Sequence, residues 1–319
     1  MAQHFLLSAK ARTLSLKAIY QGGEDNAYET FCAIRWQETD GDPVCPRCGS
    51  LDAYAIPSRR KHQCKGCGYQ YSVTSGTIFA SRKMSFTDLC AAICIFVNAV
   101  KGLSALQLSR DLDCQYKTAF VLAHKLREAL AAEIADDMVD DEVEIDGAYF
   151  GGHIRPANLK EDRVDRRKAE YQTGKRRVVI ALRERGGRTR TFVVRNEAEG
   201  VDIAKRFVAR DAIMFADEAS HWDALHAGWK TYRINHSEAY SFDGVSTNQA
   251  ESYFSRLRRM VTGQHHHVSP RYLAQYAHEA AWKEDHRRMS NGELASRALD
   301  LALSHPASRN WAGYWQRSN

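Results

Sequence analysis

The 319-residue chain lacks any apolar run approaching the roughly 20 residues that a membrane-spanning helix requires. Its opening, Met-Ala-Gln-His-Phe-Leu-Leu-Ser-Ala-Lys, has too short an apolar core for a secretory signal. A cytosolic protein without membrane partners is therefore expected. A large excess of either charge is also missing: 45 Lys+Arg against 39 Asp+Glu leave a formal net charge of +6. What is present is ordinary for a globular protein, 44% hydrophobic and 26% charged, which is enough for a sizeable core. At this length two or three structural units are expected.

The small positive excess is concentrated. Between Ile154 and Arg177, nine basic residues (Arg155, Lys160, Arg163, Arg166, Arg167, Lys168, Lys175, Arg176, Arg177) stand against four acidic ones, a net +5 in 24 residues. A localised basic segment points to a polyanionic partner, and a solvated loop is the plainer alternative.

Four of the eight cysteines are paired as Cys45-Pro-Arg-Cys48 and Cys64-Lys-Gly-Cys67, with fifteen residues between the pairs. Two tight turns that each present two sulfurs fit one tetrahedral structural Zn2+ of the closed four-sulfur type. Disulfides are disfavoured in the cytosol, and a redox pair does not explain the ribbon spacing. Arg47, Arg59, Arg60, Lys61, His62 and Lys65 surround the motif, so contact with nucleic acid is expected there. Cys32, Cys90, Cys94 and Cys114 show no ligand spacing and read as buried structural thiols.

From Phe86 to Val100 apolar residues recur at helical spacing. A short helix then precedes a turn near Asp111 to Asp113 and a longer helix from about Gln115 to Ala131. This layout resembles a helix-turn-helix, whose second helix would offer Gln115, Tyr116, Lys117 and Thr118 to a major groove; a helical hairpin that only packs is the alternative.

Three acidic residues lie further along in distinct settings. Asp146 follows Val-Glu-Ile and Asp217 ends Ala-Ile-Met-Phe-Ala, both runs reading as buried strands. Glu251 falls in Ser-Thr-Asn-Gln-Ala-Glu-Ser-Tyr-Phe (246–254), of helical period. There Asn248, Glu251, Ser255 and Arg258 form a polar stripe beside the apolar stripe Ala250, Phe254, Leu257 and Val261. The apolar stripe would dock the helix on the sheet and leave Glu251 over the aspartates. Clustered carboxylates repel and persist only when protonated or bridged by hard cations. Oxygen-only ligation suits two Mg2+ or Mn2+ ions, which about 3.5–4 Å apart serve in-line phosphoryl transfer. Asn248 is an alternative third ligand, Glu144 and Glu218 are lesser ones, and Arg258 is a candidate phosphate contact. The adjacent His265, His266 and His267 cannot easily aim at one ion and suit DNA or turn contacts better. His236 reads as structural.

The element order, three strands, helix, strand, strand and a later helix, is the layout of an RNase H-like α/β domain with a mixed sheet, its first strand beside its fourth. In order, the chain reads as an N-terminal helical segment (1–40), a zinc ribbon (41–82), a helix-turn-helix-like helical region (83–135), the RNase H-like domain (140–290) with its basic insert (154–177), and a tail (291–319) carrying Trp311, Tyr314 and Trp315 for packing or a partner.

Taken together, the two cysteine knuckles, Glu144-Ile-Asp-Gly-Ala-Tyr-Phe-Gly-Gly152, the strand ending at Asp217, Ser246-Thr-Asn-Gln-Ala-Glu-Ser-Tyr-Phe-Ser-Arg-Leu-Arg-Arg259 and Gly263-Gln-His-His-His-Val-Ser269 resemble the zinc-ribbon insertion-sequence transposases of the ISXO-two-like type. The resemblance spans about residues 25–290 and implies a DDE core that cuts and joins double-stranded DNA at element ends with two divalent ions. It implies terminal repeats and target DNA as partners, at least a homodimer, and a cytoplasmic, nucleoid-associated setting in a prokaryote. The 34 positions from Asp217 to Glu251 suit the acidic-triad spacing of such enzymes. Members carry Glu or Asn as third residue, so Glu251 and Asn248 both stand, and Arg258 takes the place where many have lysine. A DNA-binding regulator without catalysis and a nuclease without joining activity are the rival functions.

Overall fold

The computed structural model describes residues 5–133, 138–151, 157–164, 174–234 and 246–317. The chain divides into two compact units, Met1–Glu133 with His286–Asn319, and Ile134–Asp285. No helix among the described residues is long and apolar enough to cross a membrane.

The first unit is a helical bundle carrying a small sheet. Helix α1 (Leu16–Arg35) starts at Ser15, whose side chain accepts from the Ala18 backbone, and breaks at Gly23, where φ is 73°. Three short strands, β1 (Ala53–Ile56), β2 (Lys61–Cys64) and β3 (Gln70–Tyr71), form an antiparallel sheet. After it come α2 (Phe86–Asn98), α3 (Ala105–Asp111) and α4 (Tyr116–Ala132). Ser85 and Ser104 cap α2 and α3 by accepting from backbone N–H groups three residues on, each satisfying a donor that the first helical turn leaves open. Asp113, left-handed at φ 46°, turns the chain between α3 and α4. The last helix, Asn291–Ser304, opens with a Ser290/Glu293 capping box and belongs to this unit, so the tail closes the N-terminal bundle. Phe31 packs edge-on against Phe86 at 4.9 Å, and both rings are buried.

The second unit is a five-stranded mixed sheet of β4 (Glu142–Phe150), β5 (Arg177–Glu184), β6 (Thr189–Val194), β7 (Ile213–Asp217) and β8 (Lys230–Ile234), ordered β6-β5-β4-β7-β8. Strands β4, β5 and β6 pair antiparallel, while β7 joins β4 and β8 joins β7 in parallel. The first strand of the sheet thus lies beside its fourth. Helix α5 (Glu199–Phe207) follows β6, while α6 (Asn248–Arg259) and α7 (Pro270–Asp285) follow β8.

Alternation along β4 separates two cores, because successive side chains of a strand leave opposite faces. Val143 and Ile145 join Val178, Ile180, Leu182, Met214 and Trp222 under α5. Ala148 and Phe150 join Val179, Ala181, Phe254, Leu257 and Ala277 under α6 and α7. Glu144 and Asp146 share parity with Ala148 and therefore stand on the α6 face. The apolar stripe of α6 packs as its sequence indicates: Ala250, Phe254 and Leu257 are fully buried, and Val261 is partly buried against the same core.

Candidate active site

Strand register sets the first two carboxylates side by side. β4 and β7 run parallel with Glu142 opposite Ile213 and Glu144 opposite Phe215. Continuing that register by two residues brings Asp146 level with Asp217, and equal parity turns both to the α6 face. Each is held locally: the Gly147 N–H donates to Asp146 Oδ1 at 2.7 Å, and the Ala219 N–H donates to Asp217 Oδ1 at 3.0 Å. Arg233 steadies the turn after β7 by donating to the carbonyls of Asp217 (2.9 Å) and Ala219 (2.8 Å).

The neighbouring Glu144 does different work. It is 1% exposed, and its Oε2 accepts from the backbone N–H groups of Gln249 at 2.8 Å and Ala250 at 2.9 Å. These are first-turn donors of α6, where a carboxylate satisfies open N–H groups and meets the positive end of the helix dipole. Arg185 completes the clamp, donating to Glu144 Oε1 at 3.0 Å and to the Ser246 carbonyl at 2.8 Å. Gln249 Oε1 accepts from the Gly186 N–H at 3.2 Å, tying the β5–β6 turn to the same helix end. One strand thus carries both an anchor for α6 and, two residues on, the carboxylate that Glu251 of α6 must approach.

A fourth acidic residue, Glu197, is missing from the sequence reading. It precedes α5, and a Cβ built on Gly147 would lie 2.1 Å from Glu197 Oε1 and 2.7 Å from its Cγ. The Glu197 side chain therefore runs across the glycine beside Asp146, a space only glycine leaves open. Its Oε2 lies 4.0 Å from His221 Nε2. In sequence Glu197 is one charge among Arg-Asn-Glu-Ala-Glu before a helix; the glycine after Asp146 was the only available signal. Glu218, the understudy to Asp217, is exposed just beyond the end of β7.

Burial first, and then the negative charges of Asp217, Glu197 and Glu251 in that order, push the Asp146 carboxyl up to about 7 against the pull of the Gly147 N–H. Glu197 is also raised, by burial and then by Asp217. Burial lowers His221, with Asp217 opposing. The four acids thus share an electrostatic neighbourhood in which at least one gives up its charge unless a cation compensates.

The donors are all hard oxygens, a set that fits magnesium or manganese. Among the described residues, only Cys45, Cys48, Cys64 and Cys67 bring three or more ligand atoms within 4.8 Å of one another.

The cysteine site is compact. Cys45 Sγ lies 3.7 Å from Cys67 Sγ and Cys48 Sγ 3.5 Å from Cys64 Sγ, against the roughly 3.8 Å expected for sulfurs at tetrahedral corners about 2.3 Å from zinc. Gly49 and Gly68 take left-handed φ of 73° and 69° directly after their knuckles, which favours glycine at both. Of the surrounding cations, Arg60 is tied to Glu24 and Asp25 of α1. Arg47 sits 5.9 Å from the Tyr69 ring centroid.

The remaining sequence candidates are distributed as follows. Asn248 and Arg258 are exposed on α6, Arg258 lying 5.8 Å from the Phe254 ring centroid. Gln115, Tyr116, Lys117 and Thr118 are exposed at the start of α4. Lys175 and Arg176 are exposed before β5, Arg176 stacking 4.5 Å over Tyr149, while Arg177 turns back on the Gly174 carbonyl at 2.6 Å. Arg155, Arg166, Arg167, Lys168 and His236 lie outside the described residues. His265 packs edge-on against Tyr276 at 4.5 Å. Cys94 is buried and the other three unpaired cysteines are partly so.

No curated protein matches the chain. The crystal structure of the Mos1 strand transfer complex is similar at 9% identity over 66% of this chain and 77% of that one; its TM-score of 0.20 is too low to carry an argument. Family models are more informative. Residues 138–285, which hold every carboxylate of the site, match the ISXO2-like transposase domain, and residues 22–70, which hold all four clustered cysteines, match the transposase zinc-ribbon domain. With both of its characteristic parts present, in that order and over more than half its length, the chain belongs to the ISXO2-like transposase family.

Proposed function

We propose that the second unit is an RNase H-like DDE core that cuts DNA at the ends of an insertion sequence and joins the freed 3′-hydroxyl to a target strand. The observation that carries this reading is the gathering of Asp146 with Asp217, Glu251 and Glu197 in one electrostatic cluster of the transposase domain. Asp146, Asp217 and Glu251, with Asn248 as the alternative third ligand, would hold two Mg2+ or Mn2+ ions, which polarise the scissile phosphate and activate the attacking oxygen. Strands carry the two aspartates and so fix their separation. Glu251 rides on a helix whose start is clamped to the same strand. Glu197, steered by His221, closes the cluster from the α5 side, and Arg258, two turns along α6, meets a phosphate.

The zinc ribbon and the α3–α4 pair, acting as a helix-turn-helix, hold double-stranded terminal repeats, with Gln115, Tyr116, Lys117 and Thr118 at base edges and Lys175, Arg176 and Arg177 on phosphates. Bringing two ends together requires at least a homodimer. The test is a strand-transfer assay with magnesium and oligonucleotides taken from inverted repeats flanking the gene. Joined products support the reading. Binding without breakage means a regulator, and fragments without joining mean a nuclease.

A further inference from the structure

Within the first unit, the loop before α2, one face of α4 and the C-terminal tail enclose a cleft of about 700 Å³. Its wall carries four cations, Arg82, Lys83, Lys117 and Lys125, with no Asp or Glu among the lining residues. None of the four forms a salt bridge to a carboxylate among the described residues. Glu128, one turn from Lys125 on α4, is taken by the Ser308 hydroxyl, which donates to it at 2.5 Å and accepts from the Trp311 N–H at 2.9 Å. Burial lowers Lys125, and the nearby Glu128 charge opposes that shift.

The tail supplies aromatic surface beside these charges. Trp311 is buried and stacks on His124 at 4.2 Å, anchoring the segment to α4. Tyr314 and Trp315 then meet Phe120 at 6.0 and 5.7 Å. Trp315 remains 44% exposed, with the Lys117 ammonium 5.3 Å from its ring centroid. Aromatic faces beside cations are the two components of a site for unpaired nucleotides, the rings taking bases and the cations phosphates. Compact phosphate alone would need only the cations, and an apolar peptide only the rings. A cleft of this volume accepts a ligand on the order of one or two nucleotides, whereas a duplex is too wide to enter it.

We propose that this cleft binds single-stranded DNA, stacking an unpaired base on Trp315 and Tyr314 and holding the adjoining phosphates with Lys117, Lys125, Arg82 and Lys83. The choice of DNA rests on the function proposed above. It gives the start of α4 a second task, since Gln115, Lys117 and Thr118 line the cleft while Tyr116 does not. A frayed or displaced strand end next to a duplex held at α4 is the natural occupant.

The test uses the full-length, zinc-loaded protein without magnesium or manganese. Fluorescence anisotropy compares a labelled oligodeoxythymidine of about ten nucleotides with a blunt duplex of the same length. Trp315→Ala is expected to weaken single-strand binding by roughly five- to a hundredfold, the range that one stacked base contributes, with duplex binding changed less than about twofold. Trp315→Phe should restore most of the loss. Lys83→Gln, at an exposed position outside the residues assigned to the duplex, should weaken the single-strand complex selectively even if Trp315→Ala does not fold. No single-strand binding by the wild type, or equal effects of these variants on single strand and duplex, would overturn the proposal. Asp146→Asn should leave single-strand binding intact; cleft-dependent binding by a wild-type protein that never joins DNA would sink the proposed activity while leaving this site standing.

Discussion

On the proposed reading Asp146 is the side chain on which the chemistry turns, and its proton sets the conditions. Its carboxyl is raised to about 7 in the folded chain, above the value near 4 of an unfolded aspartate. The folded state therefore binds this proton more tightly than the unfolded state. The resulting stabilisation is complete below about pH 4 and is lost as pH rises through about 7. Thermal melts without divalent ion should show stability falling across that window more steeply in the wild type than in Asp146→Asn. Identical slopes would mean that Asp146 is not in the environment described. Glu197→Gln removes one of the three charges that raise Asp146, so the Asp146 titration, followed by carboxyl NMR, should move to lower pH; an unchanged midpoint would place Glu197 outside the cluster. Asp146 and Asp217 were readable because each ends or interrupts a short apolar run. Glu197 was not, because nothing local separates it from the surface acids around it, and its significance lies in a contact with Gly147 fifty positions earlier.

Among the elements, α6 matters most because on the proposed reading it is the helix that brings Glu251 to the strand-borne aspartates. Its two stripes were legible from helical period, and the buried positions follow them. What holds its start was not legible. Glu144 looked like a spare ligand next to Asp146, since parity alone cannot distinguish a carboxylate facing a metal from one facing the end of a helix. Glu144→Ala would leave two helix N–H groups open and deprive Arg185 of its buried partner, with an expected loss of about 3–5 kcal/mol in urea denaturation. A loss under about 1 kcal/mol would contradict the clamp. On the other face, α5 comes so close to the sheet layer that a Cβ on Gly200 would lie 2.6 Å from the buried Trp222 ring. Gly200→Ala should therefore cost about 1–3 kcal/mol by overpacking, despite alanine's better helix propensity; a neutral or stabilising result would show that the ring can move aside.

At the scale of the whole molecule, the cysteine spacing announced the ribbon because zinc ligation imposes a local sequence rule. The membership of the last 34 residues could not be read in the same way. Amphipathic helices carry no address; the packing of Trp311 on His124 and the hydrogen bonds of Asn291 to Thr13 and Leu14 show where that segment belongs. Because four thiolates organise the ribbon, chelating zinc or introducing Cys64→Ser should expose residues 41–82 to proteolysis and hydrogen exchange, while the β4–β8 sheet keeps its protection. Loss of protection in the sheet at the same rate would show that the units do not fold separately. The central claim, that Asp146, Asp217 and Glu251 hold paired divalent ions, is tested most directly by crystals grown with manganese. Anomalous maps should show two peaks within coordination distance of those carboxylates, with Glu197 beside them. Peaks elsewhere, or none at this cluster while zinc occupies the ribbon, would contradict it.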